Sequence, residues 1–203
     1  MTMFFIDWFR SLLQYFGLIN KQAKLLIIGL DNAGKSTLLS RLSEGRLVQH
    51  HPTSAVWSKE LQLGNVTFQA YDLGGHKAAR RVWRDYFPAI DGIVFIVDVA
   101  DMQRFPEASV ELIGVLTDEV ISSAPVLILG NKIDKGGACS KEQLISELGI
   151  GIHLSTNINT NDKSTVRPCT LVMSSLVHQT GYGDGLKWMA NQIQAQQSKV
   201  DTS

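Results

Sequence analysis

"GLDNAGKS", Gly29 to Ser36, decides how the rest of the chain is read. It fits the pattern G-x-x-x-x-G-K-[ST]. It also follows the apolar run "KLLIIG" (Lys24 to Gly29) and precedes the helix-like "STLLSRL". In that setting a glycine-rich turn wraps backbone N–H groups around phosphate oxygens at a helix N-terminus. Gly29 and Gly34 permit the tight turn, Lys35 reaches the β- and γ-phosphates, and Ser36 offers a hydroxyl to Mg²⁺. Asn32, Ala33 and Thr37 complete the stretch expected to line the phosphates.

Further along, "GIVFIVDV" (Gly92 to Val99) and "PVLILGN" (Pro125 to Asn131) are short, nearly continuous apolar runs. Such runs suit parallel strands buried on both faces. Helix-like stretches separate them, among them Arg104 to Ile121 with Val110, Ile113 and Leu116 at helical spacing. This alternation predicts an α/β fold with a parallel sheet. In "KELQLGNVTFQAYD" two alternating strands flank Gly64-Asn65, a hairpin turn pair, so one antiparallel pair is expected in the sheet. "LSTNINTNDKST" (Leu154 to Thr165) reads as a surface loop and the tail "QAQQSKVDTS" after Ile193 as a frayed end.

Two further motifs stand at predicted strand ends. In "YDLGGHKAARRVW" (Tyr71 to Trp83), Asp72 can hold Mg²⁺ through a water, and Gly75 can present its N–H to a γ-phosphate with no side chain in the way. In "NKID" (Asn131 to Asp134), the Asp134 carboxylate can accept from the N1–H and exocyclic amine of guanine, beside Asn131 and Lys132. Adenine offers no matching donors, and an unpaired carboxylate in a closed pocket is unfavourable, so the motif selects GTP over ATP. Ligands of open α/β sheets sit at the carboxyl ends of the strands, where all three motifs fall.

Composition bounds the alternatives. A chain of 203 residues suits one domain. Nineteen Lys and Arg balance nineteen Asp and Glu, which leaves no general attraction to nucleic acid. The two cysteines, Cys139 and Cys169, are too few for a disulfide scaffold or a metal cluster and read as reduced thiols. No apolar run reaches the roughly 18 residues needed to span a bilayer, and the N-terminus lacks the features of a secretory signal.

The first twenty residues, "MTMFFIDWFRSLLQYFGLIN", are still unusually apolar. At about 100° per residue, Asp7, Arg10, Ser11, Gln14 and Gly17 fall in one polar arc of about 120°, and aromatic and aliphatic residues fill most of the remainder. The pattern suits a core helix. It also suits a helix lying in a membrane interface, with Lys21 and Lys24 near anionic headgroups.

The three motifs in this order resemble the small GTPases from about Lys24 onward. "DLGGH" followed by "ARRVWRDYFPAIDGIVFIVD" is similar to the Sar family, which starts COPII coat assembly on the endoplasmic reticulum. Ras and Arf relatives would be expected to carry Gln at the position of His76. Thr2 excludes the N-myristoylation signal of Arf proteins, and the ending "KVDTS" excludes prenylation. The resemblance implies a mostly parallel six-stranded sheet with one antiparallel strand, helices on both faces and an amphipathic N-terminal helix. It divides the chain into a membrane-inserting helix (1–20), a GTPase domain (21–197) and a tail (198–203). It also implies that His76 orients the attacking water, and that Thr53 completes Mg²⁺ coordination in the GTP state. Asp31 is then expected near the metal and γ-phosphate, and Ser175, Leu176 and Val177 against the guanine base.

The implied partners are the COPII inner coat with its GTPase-activating subunit, a membrane-bound exchange factor of the endoplasmic reticulum, and an anionic membrane surface. The implied location is cytoplasmic, peripheral on the endoplasmic reticulum and Golgi membranes. The interswitch hairpin is expected to evict the N-terminal helix when GTP binds. The sequence departs from the family pattern at "SAVWSKE" (Ser54 to Glu60), which touches partner contacts rather than nucleotide binding. The alternatives are an Arf-like GTPase of another trafficking step and a GTP-binding assembly module without significant turnover.

Overall fold

The computed structural model describes residues 23–43, 57–63, 66–72, 83–154 and 167–200. Its strands are β1 (Ala23–Ile28), β2 (Trp57–Leu63), β3 (Val66–Asp72), β4 (Gly92–Asp98), β5 (Val126–Asn131) and β6 (Cys169–Ser174). They form one sheet in the order β2-β3-β1-β4-β5-β6. Every pairing is parallel except β2 with β3. Leu63 stands opposite Val66, so only residues 64 and 65 join that pair. The turn residues themselves lie outside the described residues. The helices are α1 (Lys35–Ser43), α2 (Phe105–Leu116), α3 (Lys141–Leu148) and α4 (Tyr182–Val200).

The continuous apolar runs are explained by two cores, one on each face of the sheet. Strand side chains alternate faces. Leu25, Ile27, Val94, Ile96, Leu127 and Leu129 therefore point to one side, where they pack with Leu38, Leu39 and Leu42 of α1 and Leu186, Met189 and Ile193 of α4. Leu26, Ile28, Ile93, Phe95, Val126 and Ile128 point to the other, against Phe105 and Leu112 of α2 and Leu144 and Leu148 of α3. Trp83 joins this second core and meets Phe95 edge-on, with ring centroids 6.3 Å apart.

Two sequence expectations are corrected. Val110 does not lie on the buried face of its helix but is 71% exposed. The inward stripe is Phe105, Ala108, Leu112, Val115 and Leu116, with Ile113 packed at its edge, so of the three expected positions only Val110 faces outward. The helix ends at Leu116, and a separate 3₁₀ turn (Glu119–Ile121) follows. The end after Ile193 is not frayed, because α4 continues to Val200, past the expected tail boundary. Gln, Ala and Lys there are good helix formers, and the Ser198 hydroxyl donates to the Gln194 carbonyl at 2.9 Å. Residues 1–22 and 155–166, which hold the expected N-terminal helix and nearly all of the Ser/Thr/Asn-rich stretch, lie outside the described residues.

Both cysteines are buried thiols, neither in a disulfide. Burial raises both thiols, Cys169 to about 12, so neither carries thiolate at neutral pH.

Candidate nucleotide site

β1 is where the strand order reverses: the chain runs from it to β2 and β3 on one side, then to β4, β5 and β6 on the other. Such a reversal opens a crevice at the carboxyl edge of the sheet. The registers bring the predicted motifs to that edge. Asp98 ends β4 opposite Asn131, and Asn131 ends β5 opposite Ser174. Asp72 ends β3 two residues beyond the Ile27–Ala70 pair, level with Gly29.

The loop after β1 has the geometry its glycines suggest. Gly29 has φ +137°, and a Cβ there would run into the Ile96 carbonyl of β4. Gly34 has φ +116°, and a Cβ there would collide with the Asn131 amide. Side chains at either place would break the loop. Asn32 also takes positive φ, at 59°, which asparagine tolerates better than most residues. Lys35, at the start of α1, is only 2% exposed, and its ammonium donates to the Gly29 carbonyl at 2.9 Å and the Leu30 carbonyl at 2.7 Å. The first turn of α1 carries no acidic residue. A helix N-terminus with a buried ammonium suits an anion.

Asn131 welds this loop to the base side. Its amide donates to the Ala33 carbonyl at 2.8 Å, and its side-chain oxygen accepts from the Leu176 N–H at 3.1 Å. The Ser175 hydroxyl donates to Asp134 and accepts from the His178 N–H at 3.0 Å. That bond from Ser175 holds the Asp134 carboxyl below its ordinary range, so it stands ionised and ready to accept. Reciprocal backbone bonds between Ser175 and Thr180, both 3.0 Å, close the 175–180 loop.

Between these loops lies a cleft of about 310 Å³, lined by Asn32, Gly34, Lys35, Ser36, Thr37, Asn131, Lys132, Asp134, Lys135, Leu176 and Val177. The volume suits a small polar ligand. The phosphate-loop and base-side residues expected from sequence are thus gathered in one place. Ala33 lies beneath it, buried, and Ser175 braces it from behind. Asp31 is not among the lining residues. Its carboxylate is instead engaged by Arg104, with Nη2 to Oδ1 at 2.6 Å. Thr53, Gly75 and His76 lie outside the described residues, as does the side chain of Asp72. The hydroxyls of Ser36 and Thr37 line the cleft at the start of α1, and hard oxygen donors of this kind fit Mg²⁺, which takes a few protein oxygens together with phosphate oxygens.

Sequence reasoning missed three supporting residues. Asp98 pairs with the Lys132 ammonium at 2.6 Å and accepts from the Ala100 N–H at 3.1 Å. Lys132 has φ +72°, an unfavourable conformation that this contact helps to hold. Arg41 on α1 donates to the Leu176 carbonyl at 3.1 Å and the Val177 carbonyl at 3.4 Å. Arg104 grips Asp31 across 73 positions of sequence. Only Asp98 carried a local signal, as a carboxylate at a strand end.

A mostly parallel sheet, with a glycine-rich loop leading into a helix on one side of a cleft and an ionised carboxylate on the other, has the architecture of the P-loop nucleotide-binding class. The model of the Arf: ADP-ribosylation factor family matches residues 9–193, and the chain belongs to this family. It is a small GTPase, a GTP hydrolase like other members. It is 41% identical to the Small COPII coat GTPase SAR1 of Nicotiana tabacum, over 94% of this chain and 100% of that protein. It is 40% identical to the protein of that name from Giardia intestinalis, over 93% and 99%. To ADP-ribosylation factor 1 of Brassica rapa subsp. pekinensis it is 34% identical, over 87% and 91%.

Proposed function

We propose that this chain is the GTP-driven switch that starts COPII coat assembly on the endoplasmic reticulum, with its first twenty residues as the membrane-inserting element. The observation that carries this reading is the single cleft joining Lys35 to Asp134, in a chain about 40% identical to two proteins named for that coat. Among the described residues no helix is long and apolar enough to cross a membrane. Attachment through an amphipathic segment is compatible with that.

Within this reading, the N–H groups from Asn32 to Thr37 and the Lys35 ammonium hold the phosphates, and Asp134 reads guanine against Leu176 and Val177. Ser36, Thr53 and Asp72 hold Mg²⁺, with Asp31 at the edge of that site. Bound there, the metal neutralises charge on the phosphate oxygens. Gly75 offers its N–H to the γ-phosphate. His76 accepts a hydrogen bond from the attacking water and holds it in line. Phosphoryl transfer has a loose transition state, so positioning and charge stabilisation matter more than a strong base. The partners under this reading are the coat's inner layer with its activating subunit, a membrane-bound exchange factor and an anionic membrane surface.

The decisive experiment is recruitment of the COPII inner coat to liposomes. The full chain with a non-hydrolysable GTP analogue is expected to carry coat into the floating fraction, whereas the GDP form and a chain lacking residues 1–20 are not. Equal flotation in all three would refute the switch. His76→Gly is expected to lower activator-stimulated hydrolysis by about 100-fold and leave GDP affinity unchanged, as single-turnover assays would report. An unchanged stimulated rate would remove His76 from the mechanism.

A further inference from the structure

Asp31 poses an electrostatic problem. It follows Gly29 and Leu30 in the phosphate loop, so its negative charge lies beside the place where a nucleotide brings several more. Like charges at this range oppose binding. The structure contains a counter-charge supplied by the short segment that follows β4. The Arg104 guanidinium meets Asp31 twice, through Nη2 to Oδ1 at 2.6 Å and through Nη1 to the main-chain carbonyl at 3.3 Å. Its Nε donates to Glu107 at 3.1 Å, one turn into α2, which fixes the plane of the fork. The pair is only partly exposed, at 29% for Arg104 and 38% for Asp31, so water screens it incompletely. The contact also depresses the Asp31 carboxyl and raises the Arg104 guanidinium, each shift favouring the charged form.

The backbone around Arg104 extends the connection. The Arg104 N–H donates to the Asp101 carbonyl at 3.1 Å, and the Asp101 N–H to the Asp98 carbonyl at 3.2 Å. Asp98 in turn holds Lys132. The short segment from Asp98 to Arg104 thus grips the base side of the cleft at one end and the phosphate loop at the other.

We infer that Arg104 is a positioning residue of the nucleotide site: by orienting Asp31 and offsetting its charge, it slows the release of guanine nucleotide. The inference rests on the nucleotide reading of the cleft. The rival explanation is a staple that merely ties α2 to the loop. A charge offset and a staple predict opposite behaviour when both partners are neutralised.

The test is the rate of release of N-methylanthraniloyl-GDP from the full chain at low ionic strength in excess EDTA, where Mg²⁺ is removed and Asp31 acts on the nucleotide through its charge alone. Arg104→Gln is expected to release it about fivefold faster than the parent, and Arg104→Lys, which keeps the charge but loses the fork, at an intermediate rate. Adding Asp31→Asn to Arg104→Gln is expected to restore release to within about twofold of the parent. The Arg104→Gln effect should shrink in high salt. A staple instead makes Asp31→Asn alone fast and leaves the double variant no slower than Arg104→Gln. That result, or parent-like release from Arg104→Gln, overturns the inference. If Arg104→Gln fails to fold in a melting assay, Asp31→Asn alone decides: release at or below the parent rate supports the offset, and faster release overturns it. A parent chain that binds no guanine nucleotide refutes the reading of the cleft instead.

Discussion

Lys35→Ala is expected to lower GDP and GTP affinity on the order of 100-fold or more, as titration with a fluorescent nucleotide would show. The ammonium is buried at the start of α1, and two carbonyls of its own loop hold it there. A buried cation is unfavourable until it meets a counter-charge, and phosphate oxygens at a helix N-terminus supply one. Two of the strongest terms in binding therefore coincide at one atom. The parent protein should gain thermal stability when GDP and Mg²⁺ are added, because a ligand bound only by the folded state shifts the folding equilibrium. Lys35→Ala should fold yet lose that gain. Lys35→Arg should fail in the same way, since a planar five-donor fork cannot occupy a space shaped for a compact ammonium. Retained nucleotide binding in Lys35→Ala would mean that the phosphates lie elsewhere.

What the sequence made legible follows from how local each signal is. β1, β4 and β5 were readable because both faces of each strand are buried, which leaves unbroken apolar runs such as Leu25 to Ile28. The phosphate loop was readable because its constraints are backbone constraints. Gly29 and Gly34 must be glycine to avoid Ile96 and Asn131, and that need is visible in the pattern itself. That Asn131, Lys132 and Asp134 line one cleft was readable because they are near neighbours at the end of one buried strand. The orientation of α2 was legible only in part. Leu116 and Ile113 turn to the core as their spacing suggests, but the sheet decides where the inward stripe is centred, and centring it on Leu112 and Val115 leaves Val110 outside. The supports were also hidden. Arg104 and Asp31 are 73 positions apart, and Arg41 reaches a carbonyl 135 positions away. An arginine on an amphipathic helix looks like any solvated charge until the fold brings its partner to it. The extension of α4 to Val200 was missed for a different reason, since a polar end of Gln, Ser and Lys residues reads alike as helix or as coil.

Asp134→Asn is expected to weaken GTP binding by about 10² to 10⁴-fold and to move the base preference toward xanthine. The parent carboxylate is acceptor only, and the Ser175 hydroxyl already donates to one of its oxygens. That bond keeps it ionised below the ordinary aspartate range, so falling pH should not weaken guanine recognition through this group until conditions are strongly acidic. The guanine N1–H and exocyclic amine that Asp134 is proposed to read are both donors. An amide substituted there sets a donor against the exocyclic amine, which is repulsive as well as unpaired. Xanthine keeps the N1–H and carries a carbonyl in place of the amine, so the amide oxygen accepts from one while its NH₂ donates to the other. Asn131 and Leu176 are untouched by the change, and their bonds to each other and to Ala33 keep the cleft in shape. Competition of GTP and xanthosine triphosphate for the same labelled nucleotide measures the result. A variant that loses both equally has lost its cleft, whereas one that still prefers GTP shows that the base is read by a group other than Asp134.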